Sequence, residues 1–251
     1  MSAKTQILVV ADDYGLAPEV DAGILETVRA GTVTVADLLV NPPFRPDVQA
    51  LRAAGGAVGL HLNLSHGRPC ADPATIPSLV TPNGEFLADR DRVLASLNRH
   101  DAEREFRAQL DAFHTLTGEE PSHISLHKHL HAHHAEVFSL AIDLACTCDT
   151  WLRTLNPGMR NACRARGCFT SDHFIGEVRP APFWTLDRLR EHLAALPEGL
   201  IELMCHPGYA APPIHGLWYL PERETERQTF LSPEAHRLLA KRIIHERPRH
   251  S

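Results

Sequence analysis

The chain has 251 residues, 43% of them hydrophobic, with a formal net charge of −6 and a pI near 6.3. That is enough apolar material for one substantial core. The acidic balance excludes a basic face for nucleic acid and a polybasic membrane patch, and no apolar run reaches the length of a membrane span.

The first element is the apolar run Ile7–Ala11, which reads as a parallel strand buried on both faces. It is too short for a signal-peptide core and no cleavage pattern follows it, so a cytoplasmic location is expected. It ends in Asp12-Asp13. Two acids at the end of a buried strand either ligate a cation or cap the next helix. Their distance from Pro18, which suits a first helical turn, weakens the cap reading. A helix is predicted from Pro18 to Arg29, with Gly31 as its stop.

A second strand is predicted over Val33–Val40, ending at Asn41-Pro42-Pro43, then a short helix from Pro46 to Ala54. The third strand, Val58–Leu64, places His61 and Asn63 on one face. A lone strand histidine is more often a satisfied core residue than a ligand. Residues Ser65–Leu87 read as a long irregular loop of the kind that is functional or disordered. The longest helical pattern, Asp89–Leu116, follows.

The stretch His123–His134 holds six of the chain's 17 histidines. Read as extended backbone, it turns His123, Ser125, His127, His129 and His131 to one face, and neutral imidazole suits zinc and its neighbours. Taken alone, a solvated polar loop or an adventitious metal-binding tract is an equal reading.

A helix Ala135–Ala145 comes next. It is followed by a strand Trp151–Leu155, a turn at Asn156-Pro157-Gly158, a helix Met159–Arg166 and a strand near Phe169–Ile175. A helix capped by Thr185 then runs to Leu196. The last strand, Leu200–Cys205, ends in His206-Pro207-Gly208. A second long loop, Tyr209–Phe230, carries Trp218 and Tyr219. Ser232-Pro233-Glu234 starts a final helix to His245. The cysteines Cys70, Cys146, Cys148, Cys163, Cys168 and Cys205 show no zinc-ribbon spacing, and reduced, mostly buried thiols are expected for all six.

Strands that alternate with helices argue a parallel sheet with helical crossovers. Seven or eight units in 251 residues favour a closed (β/α) TIM-like barrel over an open sheet, as a single domain spanning residues 1–251. Active sites of such barrels form at the C-terminal strand ends. Collected there are Asp12 and Asp13, His61, His127, Arg153, and Glu202 with His206. One carboxylate and two histidines make a ligand set that leaves positions open, as catalytic metal sites require. A second carboxylate beside them is free to act as a general base.

The stretches Ala11-Asp12-Asp13-Tyr14-Gly15, Gly59–Leu64, His123–His131 and Glu202–Gly208 resemble the YdjC-like carbohydrate deacetylases. That family includes chitooligosaccharide deacetylases and deacetylases linked to hopanoid glycolipids. The resemblance runs from Ile7 to about His245 and implies a (β/α) barrel distorted from the eight-fold form, here with seven strands. It implies metal ligands at Asp13, His61 and His127. It also implies Asp12 as general base, His206 as general acid, and Arg153 to orient the base or contact substrate. The implied cofactor is one divalent metal ion, zinc or magnesium; two imidazoles favour zinc or another transition metal on softness.

There are departures from the family. Its pattern His-x-Asp-Ser-His has Ser125 and Leu126 at the Asp and Ser positions, so an acid behind the ligands is missing, with His123 or His129 placed to compensate. A proline common after the last histidine is replaced by the His133-His134 region.

The implied function is hydrolysis of an N-acetyl group on an amino sugar or glycoconjugate. Trp218, Tyr209 and Tyr219 offer flat faces to a sugar, with ordinary packing the default for at least two of them. Glu202 either hydrogen-bonds substrate or holds His206. The alternatives are another metal-dependent barrel hydrolase acting on a phosphoester or cyclic amide, with Asp172, His173 and the spare histidines as further ligands, or a non-catalytic sugar- or metal-binding relative. A homodimer is the family-level expectation for assembly.

Overall fold

Seven segments, each apolar on its outward face, build one all-parallel sheet in a computed structural model that describes residues 5–41, 45–214 and 217–244. The strands are β1 (Gln6–Tyr14), β2 (Val35–Leu38), β3 (Ala57–Leu62), β4 (His123–Leu126), β5 (Trp151–Leu152), β6 (His173–Ile175) and β7 (Leu200–Cys205). Their order is β5-β4-β3-β2-β1-β7-β6, and they curl into a half-barrel with helices on the outside. Among the described residues the two edges of the sheet, β5 and β6, do not pair; β5 meets only the segment ahead of β6, through one bridge from Trp151 to Phe169. The barrel therefore takes the distorted seven-stranded form.

The helices are α1 (Pro18–Arg29), α2 (Val48–Ala53), α3 (Arg90–Ser96), α4 (Arg99–Thr117), α5 (Ala135–Thr147), α6 (Pro157–Ala165), α7 (Leu186–Ala194), α8 (Glu222–Leu231) and α9 (Pro233–Leu239). Outward residues of the strands, among them Ile7, Val9, Leu60, Ile124, Leu152 and Ile201, join the helices in the main core.

The inward face is what positions the site. Side chains alternate along a strand, so each strand's inner face can be read off at every second residue. Near the strand starts these residues are apolar: Leu8, Val10, Val35 and Trp151 form a separate small core, with Ala57, Phe169 and Leu200 packed against it. One or two steps further along, the same faces carry Asp12, Asp37, His61, Ser125, Arg153 and Glu202, all buried. An apolar plug thus supports a polar layer at the C-terminal ends of the strands.

The sequence-based elements differ from the structure in places, each for a physical reason. The long helix is two, because Asn98 caps a second start and its side chain accepts from the His100 backbone N–H. The histidine stretch is extended only to Leu126. Lys128 and His129 take left-handed φ values of 55° and 52° and the chain turns into a short 3₁₀ segment, His127–Ala132. The loop read from Tyr209 to Phe230 contains α8, whose charged helix-forming residues (Glu, Arg, Gln) were masked by prolines on either side. The last helix stops at Leu239; Pro42, Pro43 and His245 lie outside the described residues. The reduced-thiol expectation is corrected at two positions. Cys146 and Cys168 form a disulfide that joins α5 to the segment entering β6. Their separation of 22 residues carries no local spacing signal. Cys70, Cys148, Cys163 and Cys205 are free.

Candidate active site

Adjacent strand residues point to opposite faces, yet Asp12 and Asp13 both serve the same site. The device is a register shift in β1 between Ala11 and Tyr14, where Asp13 takes φ 73°. Left-handed backbone at a residue other than glycine costs on the order of 1–3 kcal/mol and persists where its surroundings fix it. Here Arg223 Nη2 donates to Asp13 Oδ2 at 2.5 Å, and His127 Nδ1 lies 2.9 Å from Asp13 Oδ1.

His61 Nε2 is 3.3 Å from the same Asp13 Oδ1. One donor atom each from Asp13, His61 and His127 therefore fall within 4.8 Å of one another, all on buried residues. With Oδ2 taken by Arg223, Oδ1 and two imidazoles converge on one point. A carboxylate oxygen and two imidazole nitrogens are a donor set suited to a divalent cation. The three open into a cleft of about 1130 Å³ whose lining also includes Asp12, His206 and Trp218.

Asp12 stands beside this group in a clamp. Arg153 Nη1 and Nη2 donate to its two oxygens at 2.5 and 2.8 Å, and Arg153 Nε donates to Glu202 Oε1 at 2.5 Å. Burial alone would raise the Asp12 carboxyl; the Arg153 guanidinium, helped by His61 and His206, holds it below the ordinary carboxylate range. Asp13 is likewise held well below that range against its burial, by His127 and Arg223. Both acids are ionised throughout the neutral range.

Arg153 is fully buried and Glu202 nearly so. Neither lines the cleft. Their side chains engage Asp12 and each other from behind. Glu202 accepts from Arg153, and among the described residues it makes no hydrogen bond to His206. The backbone N–H of His206 donates to Glu226 Oε2 at 2.6 Å, and Glu226 also accepts from the Tyr219 hydroxyl. Tyr219 is buried, with its hydroxyl bonded to Glu226 and the Phe183 N–H, and its side chain also lines the cleft; the Tyr209 hydroxyl donates to Glu26 at 2.6 Å. Trp218 is 54% exposed on the cleft wall.

His206 Nε2 is 3.9 Å from Asp12 Oδ2; burial pushes this imidazole down to about 4 in spite of Asp12. Burial also lowers His127. His61 is raised against its burial, chiefly by Asp12. Within the histidine stretch, only His127 joins the Asp13–His61 group. His131 Nε2 meets the Arg153 carbonyl at 3.1 Å, and His129 packs edge-on against Phe174.

Two residues behind or beside the Asp13–His61–His127 group gave no reading in the sequence. Asp37, an acid inside the apolar run of β2, accepts from Ser125 Oγ and from His123 Nδ1 at 2.9 Å. Ser125 Oγ in turn lies 2.6 Å from His61 Nδ1. The signal for Asp37 was its inward phase on the strand. Arg223 sat in a span read as loop and gave no signal.

Residues 6–241 match the family described as "YdjC-like protein". A protein of Geobacillus stearothermophilus named "Carbohydrate deacetylase" is 34% identical over 230 residues, covering 90% of this chain and 89% of its own length. A "Chitooligosaccharide deacetylase" of Serratia marcescens is 28% identical, with 94% of each chain covered. A crystal structure from Enterococcus faecalis superposes with a TM-score of 0.84 at 23% identity, covering 96% of this chain and 95% of that one, which shows the shared fold.

Proposed function

The chain belongs to the YdjC-like family, and on that premise we propose that it hydrolyses the N-acetyl group of an N-acetylated amino sugar, releasing acetate. The observation that carries this reading is the pairing of a Asp13–His61–His127 donor set with a second acid, Asp12, clamped by Arg153 and held ionised. Relatives named as carbohydrate deacetylases support the substrate class.

Asp13, His61 and His127 would hold one divalent ion, with two imidazoles favouring zinc or another transition metal over magnesium. When bound, such an ion supplies Lewis acidity to the amide carbonyl and to the attacking water. Asp12 accepts the proton of that water as it attacks. His206, neutral in the free site and 3.9 Å from Asp12, receives this proton and delivers it to the leaving amine nitrogen. The carbon–nitrogen bond then breaks to acetate and free amine. Arg153 and Glu202 are positioning residues for Asp12, and Trp218 offers a flat face to a sugar ring at the rim.

Acetate release from N-acetylglucosamine oligomers tests the assignment. D12N and H206A, each with its metal content measured, are expected to lose at least about a hundredfold in kcat while keeping the ion. Unchanged turnover in D12N would overturn the base assignment. The alternative multi-metal hydrolase gains nothing from Asp172, whose carboxylate already accepts from Arg164 at 2.6 Å and from the Leu200 N–H at 2.8 Å.

A further inference from the structure

We propose that Asp37, acting through Ser125, is the positioning residue of the His61 imidazole. The inference rests on the reading of Asp13, His61 and His127 as metal ligands.

Three side chains form a chain of hydrogen bonds across three adjacent strands. Ser125 is in register with His61 on the neighbouring strand, and its Oγ lies 2.6 Å from His61 Nδ1. The Ser125 hydroxyl also meets Asp37 Oδ2. A carboxylate can only accept, so the Ser125 O–H donates to Asp37 and its lone pair receives the His61 Nδ1–H. The direction of both bonds is thereby fixed from the far end. His61 is left with its proton on Nδ1 and a free lone pair on Nε2, the nitrogen facing Asp13 Oδ1 at 3.3 Å. Orientation and tautomer of a ligating histidine are set by the partner of its other nitrogen.

The rest of the layer holds Asp37 for this use. It is fully buried, accepts from His123 Nδ1 at 2.9 Å and has Arg153 Nη2 at 3.8 Å. It does not line the cleft. It sits on β2, two strands from Ser125, and reaches over β3 at Gly59, its register partner. A Cβ at Gly59 would overlap Asp37 Oδ1 and come within 3.0 Å of the His123 carbonyl. The missing side chain at Gly59 is the space the carboxylate occupies. Asp37 thus reaches His61 from the neighbouring strand, with the Ser125 hydroxyl bridging the gap.

A structural role for Asp37 alone, pairing with His123, would leave His61 untouched, so the test separates the two. Zinc affinity is measured by chelator competition on metal-stripped protein, with thermal melting as the control for folding. S125A cuts the link while keeping the Asp37–His123 pair, and is expected to bind zinc about 10–100-fold more weakly than wild type. D37S and S125D are each expected to lose affinity, the second because it buries two carboxylates together. The reciprocal double variant D37S/S125D restores an acid directly on Nδ1 and is expected to recover most of the loss. Should a variant at Asp37 fail to fold, S125A decides alone. Wild-type affinity in S125A, with binding lost in H61A, overturns the inference and leaves the metal site standing. Zinc binding indifferent to H61A overturns both.

Discussion

Arg153 shows how one buried cation sets the chemistry of the site. Its two-pronged grip on Asp12 keeps that acid ionised in a place where burial would otherwise protonate it. R153K replaces a planar fork by a point charge. Its acid limb in kcat/KM is expected to move toward neutral pH, with kcat down roughly 10–100-fold; a pH–rate profile of unchanged shape would contradict this. His123 gives the opposite linkage. Burial would lower it, but Asp37 and Glu202 raise it to about 10. A raised imidazole contributes stability that is fully present below its ordinary 6.5 and is lost as pH climbs through about 10. The stability gap between wild type and H123Q, measured by urea unfolding of metal-stripped protein, is therefore expected to narrow across that window. At this scale the sequence made the ligand-type residues visible, because acids and imidazoles at the ends of apolar runs are conspicuous. It hid Asp37, Ser125 and Arg223 as a working set. Which side chains meet across strands depends on strand order, and only the topology places β2, β3 and β4 side by side.

Among elements, the long segment Ser65–Leu87 is ordered by α4. Glu105 accepts from the Cys70 and Ala71 N–H groups, both at 2.9 Å, and from Gln109 Nε2 at 2.7 Å; Gln109 Oε1 accepts from the Asn63 N–H at 2.9 Å. This segment supplies Phe86 and Leu87 to the cleft wall. E105A leaves the half-buried Cys70 and Ala71 N–H groups without their acceptor, while Gln109 Nε2 keeps the Asn63 carbonyl, and is expected to cost about 1–3 kcal/mol, read by urea denaturation. It should raise KM with kcat nearly unchanged, since no residue at the reacting centre is touched; a fall in kcat alone would contradict that. Elements with one dominant signal were legible. The α1 boundaries and the β7 run were read residue for residue, and the Ser232 cap was placed correctly, its hydroxyl accepting from the Ala235 N–H. The histidine stretch was not, because alternation of polar residues predicts a strand but says nothing about the left-handed turn at Lys128 and His129. The same turn takes His129 and His131 away from the face where His127 meets Asp13 and His61.

At the scale of the whole molecule, the half-barrel separates two environments on one inner face. Apolar side chains close the bottom and charged ones crowd the top, so the polar layer rests on an apolar floor, and Asp12, Asp13 and His61 face the cleft. That cleft, about 1130 Å³, slightly exceeds the usual range for small-ligand pockets, roughly 300–1,000 Å³, which suits more than one sugar unit. W218A is accordingly expected to raise KM for N-acetylglucosamine oligomers several-fold more than for the monosaccharide, in line with about 1 kcal/mol for a stacked aromatic face; equal effects on both would place Trp218 outside the binding path. The alternating β/α order made the parallel sheet readable in advance. The lack of pairing between β5 and β6 among the described residues was not, since these edge strands are only two and three residues long and carry almost no periodic signal.

On the proposed function, removal of the acetyl group depends on a metal ion held by Asp13, His61 and His127. The most direct measurement is acetate released from N-acetylglucosamine oligomers by metal-stripped protein, before and after one equivalent of zinc per chain. Turnover absent before, restored by one equivalent, and not restored in H61A or H127A is the expected result. Acetate release at full rate by the stripped protein, or restoration that survives loss of His61, would contradict the claim.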